Sequence, residues 1–444
     1  MINTEHVTTI VITLFSIQVA TFFLLILLKQ IFPKLSEKSI IGIVTSNTLC
    51  SILLISILAI AILTKENYLI NLGIWFGTED SKYDIVFVVD LLAVIYALFA
   101  SIMIGLVAIF SRRYLHRESG YFRFYTFMVL FLLGVNIISF AGSMEITIIG
   151  WEFVGLSSVS LISFFNYRTA PVQNAFWVFT NYRICDIGLF AAALTMHSFM
   201  HSADFGTLNE AAWFGISANH APTILGFLIL FGAMGKSALF PFSGWLPRAM
   251  EGPTPSSAIF YGSVSIHFGP LLLLRSADLI ATSPLLASTV ITIGVFTALV
   301  ARLIAHAQTD IKSMIAFESV MQVGLIVAEI GFGFNTIALI HIVGHSGYRT
   351  LQMLRAPSLI RDLRTISQML GRNIASFSSN RKKSDWHYWV YRIILEKCCM
   401  DNIVKDYFVR YLLMPFRYID RIETNWSNWL TKTRSQTSSY KTKS

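Results

Sequence analysis

Charged residues are scarce in this sequence. Asp, Glu, Lys and Arg make up 13% of its 444 residues, whereas hydrophobic residues make up 55%. In a soluble domain about a quarter of the residues are charged, so this chain has too few charges to cover a surface that faces water. The composition therefore excludes a series of soluble domains and predicts a single membrane domain.

Cysteine and the usual catalytic motifs are also scarce or absent. The sequence has no Walker phosphate loop, no Rossmann glycine fingerprint and no nucleophile paired with a base. No cysteine has the spacing of a metal ligand, and we expect no disulfide framework. We therefore predict a transport subunit rather than an enzyme, with no metal and no cofactor in this chain. The four cysteines are Cys50, Cys185, Cys398 and Cys399.

Long apolar runs follow one another from residue 8 to about residue 355. Each is long enough to cross a hydrocarbon core of about 30 Å. The first run lacks the basic leader and the cleavage site of a signal peptide, so we expect it to remain as a span. The sequence predicts an all-α polytopic membrane protein with about 11 transmembrane helices (range 11–13). The predicted spans are 8–31, 40–63, 85–110, 123–141, 145–165, 174–199, 223–240, 256–275, 285–305, 313–331 and 335–355.

Positive charge alternates along the loops. The loops after the first, third, fifth, seventh and ninth predicted spans carry Lys or Arg. In contrast, residues 200–222 contain neither, and residues 64–84 are net acidic. Because Lys and Arg concentrate in cytoplasmic loops, this alternation predicts an odd number of spans, with the N-terminus outside and the C-terminus in the cytoplasm.

The pattern changes after Pro357. From Arg361 onward, 16 Lys/Arg stand against seven Asp/Glu, an excess equal to the net charge of +9 of the whole chain. We interpret residues 1–357 as a transmembrane domain, 358–385 as a polar linker and 386–444 as a basic, aromatic-rich tail of amphipathic helices. Such a tail is typical of contact with an anionic membrane surface or with a partner, and the sequence leaves both open. We expect no nucleic-acid binding.

Several ionisable side chains lie inside the predicted spans. A charge there is costly and usually lines a polar pathway. Lys236 lies near the end of the seventh span, and Pro241 follows it, so we predict that this helix is broken there and frees carbonyl groups. The ionisable residues inside the spans are Glu152, Arg183, Asp186, Lys236, His267, His341, His345 and Arg349.

Two groups among these residues have helical spacing. Arg183 and Asp186 are three residues apart and share one face of the sixth span. In the eleventh span His341, His345 and Arg349 repeat every four residues and form a polar stripe about 12 Å long. Histidine can both give and take a proton near neutral pH, whereas arginine keeps its proton.

These properties predict a proton relay. Burial disfavours the charged form of lysine, which then exchanges its proton more readily. Two alternatives remain open: the arginine and aspartate of the sixth span form a structural ion pair, and the histidine of the eighth span is an ordinary core residue. The predicted proton path is Glu152, Lys236, His267, His341 and His345, and the predicted electrostatic supports are Arg183, Asp186 and Arg349.

Some of these residues belong to recognisable motifs. They are Gly-Trp-Glu-Phe-Val-Gly-Leu-Ser-Ser (150–158), the twenty-residue run from Lys236 to Pro255, Asp310-Ile-Lys and His341-x-x-x-His345. These motifs resemble the proton-pumping antiporter-like subunits of respiratory complex I, especially its L (ND5-type) subunit, and the related Mrp antiporter subunits. The resemblance covers roughly residues 85–357 and implies an antiporter-like fold.

Other details resemble a different branch of this superfamily. Tyr261 stands where the complex I subunit typically has His, and Arg349 stands where it has Lys. Residues 348–359 and 168–174, together with His267, look like the DabB group, the membrane subunits of DabA–DabB inorganic-carbon transporters. Glu318 lies where relatives usually have a small or polar residue.

The DabB resemblance implies a specific function. This chain would conduct protons in the inner membrane of a bacterial cell and drive CO2 or bicarbonate uptake with a DabA-like partner. The zinc and the carbon chemistry would belong to that partner, and Glu152 and Lys236 would be the carboxylate–lysine pair of the channel. Two alternatives remain: a proton-pumping subunit of complex I or of a Mrp-type Na⁺/H⁺ antiporter, and a non-conducting membrane anchor for a soluble enzyme.

Overall fold

Most of the chain is helical in a computed structural model. The structure describes residues 3–32, 35–63, 67–77, 82–209, 221–369, 392, 394 and 410–441. Cys398 and Cys399 lie outside these residues. The helices are α1 (Thr4–Ile31), α2 (Glu37–Ile62), α3 (Leu91–Tyr114), α4 (Tyr121–Phe140), α5 (Met144–Ile162), α6 (Thr169–Met200), α7 (Ala221–Lys236), α8 (Thr254–Ser257), α9 (Phe268–Arg275), α10 (Ala277–Thr282), α11 (Pro284–Ala307), α12 (Ile311–Gly331), α13 (Asn335–Met369) and α14 (Arg410–Lys441).

Shorter segments complete the described secondary structure. A two-stranded antiparallel sheet is formed by β1 (Tyr68–Gly77) and β2 (Lys82–Val89). A π-helix at Ala258–Ser263 lies between α8 and α9. Single 3-10 turns are found at Phe205–Asn209, Phe242–Trp245, Pro247–Glu251 and Ser265–His267.

The predicted all-α polytopic fold is confirmed. Each of the eleven predicted spans contains a helix, and eight helical segments of the described chain are long and apolar enough to cross a membrane. One of the eight is the composite segment Thr254–Arg275, which is fully buried inside the bundle. The other three predicted spans correspond to α6, α7 and α13, and their crossing stays a prediction.

The start of the third predicted span is corrected by the structure. Residues 85–89 belong to β2, and α3 begins only at Leu91. Asp90 ends the strand and caps the helix, because its Oδ1 accepts a hydrogen bond from the Ala93 backbone N–H at 2.8 Å. A short, continuous apolar strand cannot be distinguished from a buried helix by periodicity alone, which is why the apolar run 85–110 was predicted as one helix.

The predicted break in the seventh span is also present. The helix α7 ends at Lys236, and two residues later Ala238 has a left-handed backbone with φ of 51°. A cis peptide bond joins Phe240 to Pro241, and short turns replace the helix from Phe242 onward. Lys236 is thus the last residue of α7, and it is buried inside the protein.

The segments after residue 357 are described only in part. The helix α13 runs to Met369, so residues 358–369 of the predicted linker are helical, and 370–385 lie outside the described residues. In α14, exposed apolar side chains recur every three or four residues, as an amphipathic helix requires. These side chains are Tyr411, Met414, Tyr418, Ile422 and Trp426.

The helices α11 and α12 cross in close backbone contact at two glycines. A Cβ on Gly294 would lie 2.6 Å from the Gly324 carbonyl oxygen, and a Cβ on Gly324 would lie 2.6 Å from the Gly294 carbonyl oxygen. Small residues allow such approach in membrane bundles, where van der Waals packing is a main source of helix association. This crossing fixes the position of α12 and of the polar residues that α12 carries.

We expect Gly324→Val to destabilise the folded protein by about 1–3 kcal/mol, because the backbones must separate to admit the side chain. Gly42→Val in α2 is the matched control, since a Cβ there meets nothing within 4 Å. The thermal unfolding midpoint of the detergent-solubilised protein measures both. Equal midpoints for the two variants would contradict the close crossing.

Candidate functional site

Arg183 joins two carboxylates where α5 and α6 meet. Its Nη1 donates to Oε1 of Glu152 at 2.6 Å, and its Nη2 lies 2.8 Å from Oδ2 of Asp186. The indole N–H of Trp151 donates to Oδ1 of Asp186 at 2.7 Å. Asp186 is buried, whereas Glu152 and Arg183 are each about one third exposed. The ion pair expected on the sixth span is therefore present, and Glu152 extends it to a third charged group.

Lys236 is buried beside this group, with only 1% of its surface exposed. Its Nζ donates to the backbone carbonyl of Trp151 and lies 4.8 Å from the centroid of that indole ring. The ring centroid of Tyr182 lies 5.4 Å away on another side. Gly155 makes room for the ammonium group, since a Cβ there would lie 3.2 Å from Nζ.

Lys236 and Glu152 share this cluster without a direct contact. Within the described part of the chain Lys236 forms no ion pair, because Arg183 contacts the Glu152 carboxylate instead. Trp151 connects the two sides: its carbonyl accepts from Lys236, and its indole donates to Asp186. We name this group of Glu152, Arg183, Asp186 and Lys236 the lysine cluster.

A second cluster surrounds His345 of α13. The Arg349 Nε–H donates to Nε2 of His345 at 3.2 Å, and Nδ1 of His345 lies 3.1 Å from Nε2 of His267. On the far side, Nδ1 of His267 contacts the Ser263 backbone carbonyl, which can only accept. Because Arg349 only donates, one neutral arrangement satisfies every contact: both histidines carry their proton on Nδ1. His267 is therefore part of a hydrogen-bonded chain and not an isolated core residue.

His341 lies beside His345, nearer the end of α12, and its hydrogen bonds go to α12 rather than to His345. Its Nδ1 lies 2.9 Å from Oε1 of Glu329, and its Nε2 lies 3.1 Å from Oε1 of Gln322. The rings of His341 and His345 have centroids 6.2 Å apart and are nearly perpendicular. The carboxylate of Glu329 can accept from Nδ1, and the amide of Gln322 can meet Nε2 either as acceptor or as donor. We name His267, His341, His345 and Arg349 the histidine cluster.

Glu318 of α12 is the carboxylate that neutralises the histidine cluster. Its Oε2 accepts from Nη1 of Arg349 at 2.6 Å, and its Oε1 lies 3.8 Å from Nη1 of Arg302. Arg349 is 5% exposed, so it needs such a counter-charge. The roles of Glu318, Gln322 and Glu329 were not predicted from the sequence. Their four- and seven-residue spacing, which is that of one helix face, was the signal that could have revealed them.

The two clusters are linked through backbone and not by a direct side-chain contact. Ser237, next to Lys236, donates from Oγ to the Ile266 carbonyl at 2.7 Å and accepts from the Gly269 N–H at 3.0 Å. These two hydrogen bonds lie on either side of His267 in the sequence, and they hold the broken end of α7 against the 3-10 turn Ser265–His267 and α9. The structure thus brings the eight predicted residues into two neighbouring clusters rather than one continuous chain. No group of three or more His, Cys, Asp or Glu side chains in the described residues could hold a metal ion.

The comparison with known proteins identifies the family. Residues 141–378, more than half of the chain, match the family described as "NADH:quinone oxidoreductase/Mrp antiporter, TM". The chain therefore belongs to this family and is a multi-pass membrane protein. The matched region contains both clusters.

The chain is also similar to curated proteins, but it matches only part of the length of each. NADH-ubiquinone oxidoreductase chain 5 of Schizophyllum commune is 32% identical over 313 residues, which are 69% of this chain and 45% of that protein. NAD(P)H-quinone oxidoreductase chain 5 of Synechocystis sp. is 30% identical over 65% of this chain and 43% of that protein. The chain thus spans less than half the length of these relatives.

Solved structures show the same fold at lower identity. A chain of the Mrp complex from Dietzia sp. DQ12-45-1b has a TM-score of 0.66 at 23% identity, with 82% of this chain and 38% of that chain covered. A chain of the membrane-bound sulfane sulfur reductase, an archaeal respiratory membrane complex, has a TM-score of 0.65 at 19% identity, with 86% and 77% covered. The predicted antiporter-like fold is confirmed.

We expect Glu318→Gln to destabilise the folded protein by about 1–3 kcal/mol, because it leaves the buried Arg349 guanidinium without its carboxylate. Arg349→Met in the same chain should recover part of this loss, since the unpaired charge is then absent. Thermal unfolding midpoints of the two single variants and the double variant measure the coupling. Strictly additive effects would show that the contact is energetically irrelevant.

Proposed function

We propose that this chain is the proton-conducting membrane subunit of an energy-coupled uptake complex for inorganic carbon. The observation that carries the conduction proposal is Lys236, a fully buried amine beside Asp186, Arg183 and Glu152 but not ion-paired with any of them. An amine held by one carbonyl and two aromatic faces can lose its proton without breaking an ion pair. Arg183 keeps its charge and stabilises both carboxylates whichever state the lysine adopts.

The histidine cluster supports the same proposal. His267 and His345 form a hydrogen-bonded pair in which each imidazole can accept at one nitrogen and donate at the other. Water between the lysine cluster and this pair would complete a relay in which a proton leaves Lys236 and reaches His267. Both ring nitrogens of His267 are engaged, so the hydrogen bond to His345 must open for Nε2 to accept that proton. In this proposal Glu152, Lys236, His267, His341 and His345 carry the proton, while the ion-paired arginines and Asp186 provide the electrostatic support.

The uptake complex is proposed from the DabB-like segments of the sequence. A DabA-like zinc protein would be the partner and would carry out any CO2 hydration, so this chain itself is not an enzyme and needs no cofactor. The membrane would be a bacterial inner membrane, with the N-terminus outside and the C-terminus in the cytoplasm. The basic helix α14 would then lie on the side where the partner docks.

The family match favours a second candidate. A cation-conducting subunit of a complex I-type or Mrp-type assembly uses the same fold, and the relatives named above belong to such assemblies. A non-conducting anchor for a soluble enzyme is the third candidate, and it predicts that the lysine cluster is dispensable for flux.

Replacement of the buried lysine tests conduction. In proteoliposomes that contain the complex purified through a tag on this chain, we expect Lys236→Ala to lower proton flux at least about tenfold. Lys236→Arg should be equally inactive, because arginine keeps its proton. Lys312→Ala is the matched control. Lys312 donates to the Gly252 carbonyl at 3.2 Å and belongs to neither cluster. Full flux in Lys236→Ala would favour the anchor.

Co-purification tests the assembly. We expect a zinc-containing partner of DabA size to elute with the tagged chain after mild detergent extraction, with zinc measured by mass spectrometry. A quinone-reducing assembly, or a set of Mrp subunits, would replace the carbon-uptake proposal with the second candidate. Conduction through Lys236 would stand in either case.

A further inference from the structure

The helix α12 carries a polar stripe that faces the histidines of α13. Glu318, Gln322 and Glu329 are spaced by four and seven residues, which places them on one face of the helix. Glu318 contacts Arg349, and Gln322 and Glu329 both contact His341. The stripe therefore forms a polar seam between two antiparallel helices, with a carboxylate at each end.

The two ends of this seam differ. At one end Glu329 contacts His341 directly. Glu318 at the other end is exposed to the same extent as Glu329, 25%, so the two ends differ in the partner of the carboxylate and not in its exposure. At the other end Arg349 stands between Glu318 and His345 and donates to both. Arginine does not release its proton, and its Nε–H occupies the free nitrogen of His345. The seam is thus open to proton exchange at Glu329 and closed at Glu318.

The contacts of Lys312 show at which end of the helical bundle the Glu329 end of the polar seam lies. Lys312, at the start of α12, donates to the Gly252 carbonyl, and Gly252 lies against Leu161 near the end of α5. Glu329, near the other end of α12, is therefore at the end of the bundle where α5 begins and where the β1–β2 hairpin lies. If α12 has the predicted orientation, this end faces the outside.

We propose that Glu329 and His341 form the proton-exchange site through which the histidine cluster communicates with water at the hairpin end of the protein. The proton on Nδ1 of His341 passes to Oε1 of Glu329, which leaves a neutral imidazole and a carboxylic acid. Water then takes the proton from the acid, and uptake follows the reverse order. Gln322 holds Nε2 and keeps the ring oriented. This inference rests on the proposed proton conduction.

The same end of the protein offers a matched control. Glu145, at the start of α5, contacts Nε2 of His197 near the end of α6, and the ring of Tyr83 covers this histidine at a centroid distance of 4.0 Å. This second carboxylate–histidine pair does not belong to the polar seam. Its removal should therefore leave proton flux unchanged if the seam, and not any acidic group at this end, exchanges the proton.

The test compares three variants with the unmodified full complex in proteoliposomes, with proton flux followed by an entrapped pH-sensitive dye. We expect Glu329→Gln to lower the flux at least about tenfold, Glu329→Asp to recover a substantial part of it, and Glu145→Gln to match the unmodified protein. Size-exclusion chromatography checks that each complex assembles. Recovery by the shorter acid separates proton exchange from a purely structural role.

The outcomes also separate this inference from the proposed function. Loss of flux in Lys236→Ala with full flux in Glu329→Gln would overturn the exchange site alone. Equal losses in Glu329→Gln and Glu145→Gln would also overturn it, because the loss of flux would then not be specific to the polar seam. Full flux in Lys236→Ala would instead overturn proton conduction by this chain.

Discussion

The cost of burying charge in an apolar interior governs the arrangement of this protein. An ionic group without a partner is expensive there, and each cluster meets this constraint with one arginine. Arg183 joins Glu152 to Asp186, and Arg349 joins Glu318 to His345. The arginines keep their charge, so each carboxylate that they contact keeps a cationic partner while the neighbouring groups exchange protons. Removing either arginine would affect several groups at once.

Two helix interruptions lie beside the relay groups Lys236 and His267. A continuous seventh helix would carry the chain beyond Lys236 towards the membrane surface. Instead α7 ends there, and Ser237 connects the broken end to the Ile266 carbonyl beside His267. The π-helix and turns before α9 likewise interrupt the next span. Both clusters therefore meet at irregular backbone inside the bundle, where freed polar groups are protected from lipid.

The two clusters differ in whether the arginine contacts the group that exchanges protons. In the lysine cluster the ammonium of Lys236 rests on a carbonyl and aromatic rings, so the exchangeable group is separate from the ion pairs. In the histidine cluster Arg349 occupies one nitrogen of His345 directly. Movement of Arg349 would open that end of the polar seam, and the close crossing of α11 and α12 at Gly294 and Gly324 restricts how far the helices themselves can move.

Helical spacing and composition determined the broad fold and most of the candidate residues, because apolar runs, Pro241 and the four-residue repeat of His341, His345 and Arg349 are local features. Only the tertiary structure decided which residues meet. It paired Glu152 with Arg183 rather than with Lys236, showed that residues 85–89 form a strand, and assigned Glu318, Gln322 and Glu329 to the histidines of α13. These contacts depend on the packing angle and register of neighbouring helices, which no local pattern in the sequence specifies.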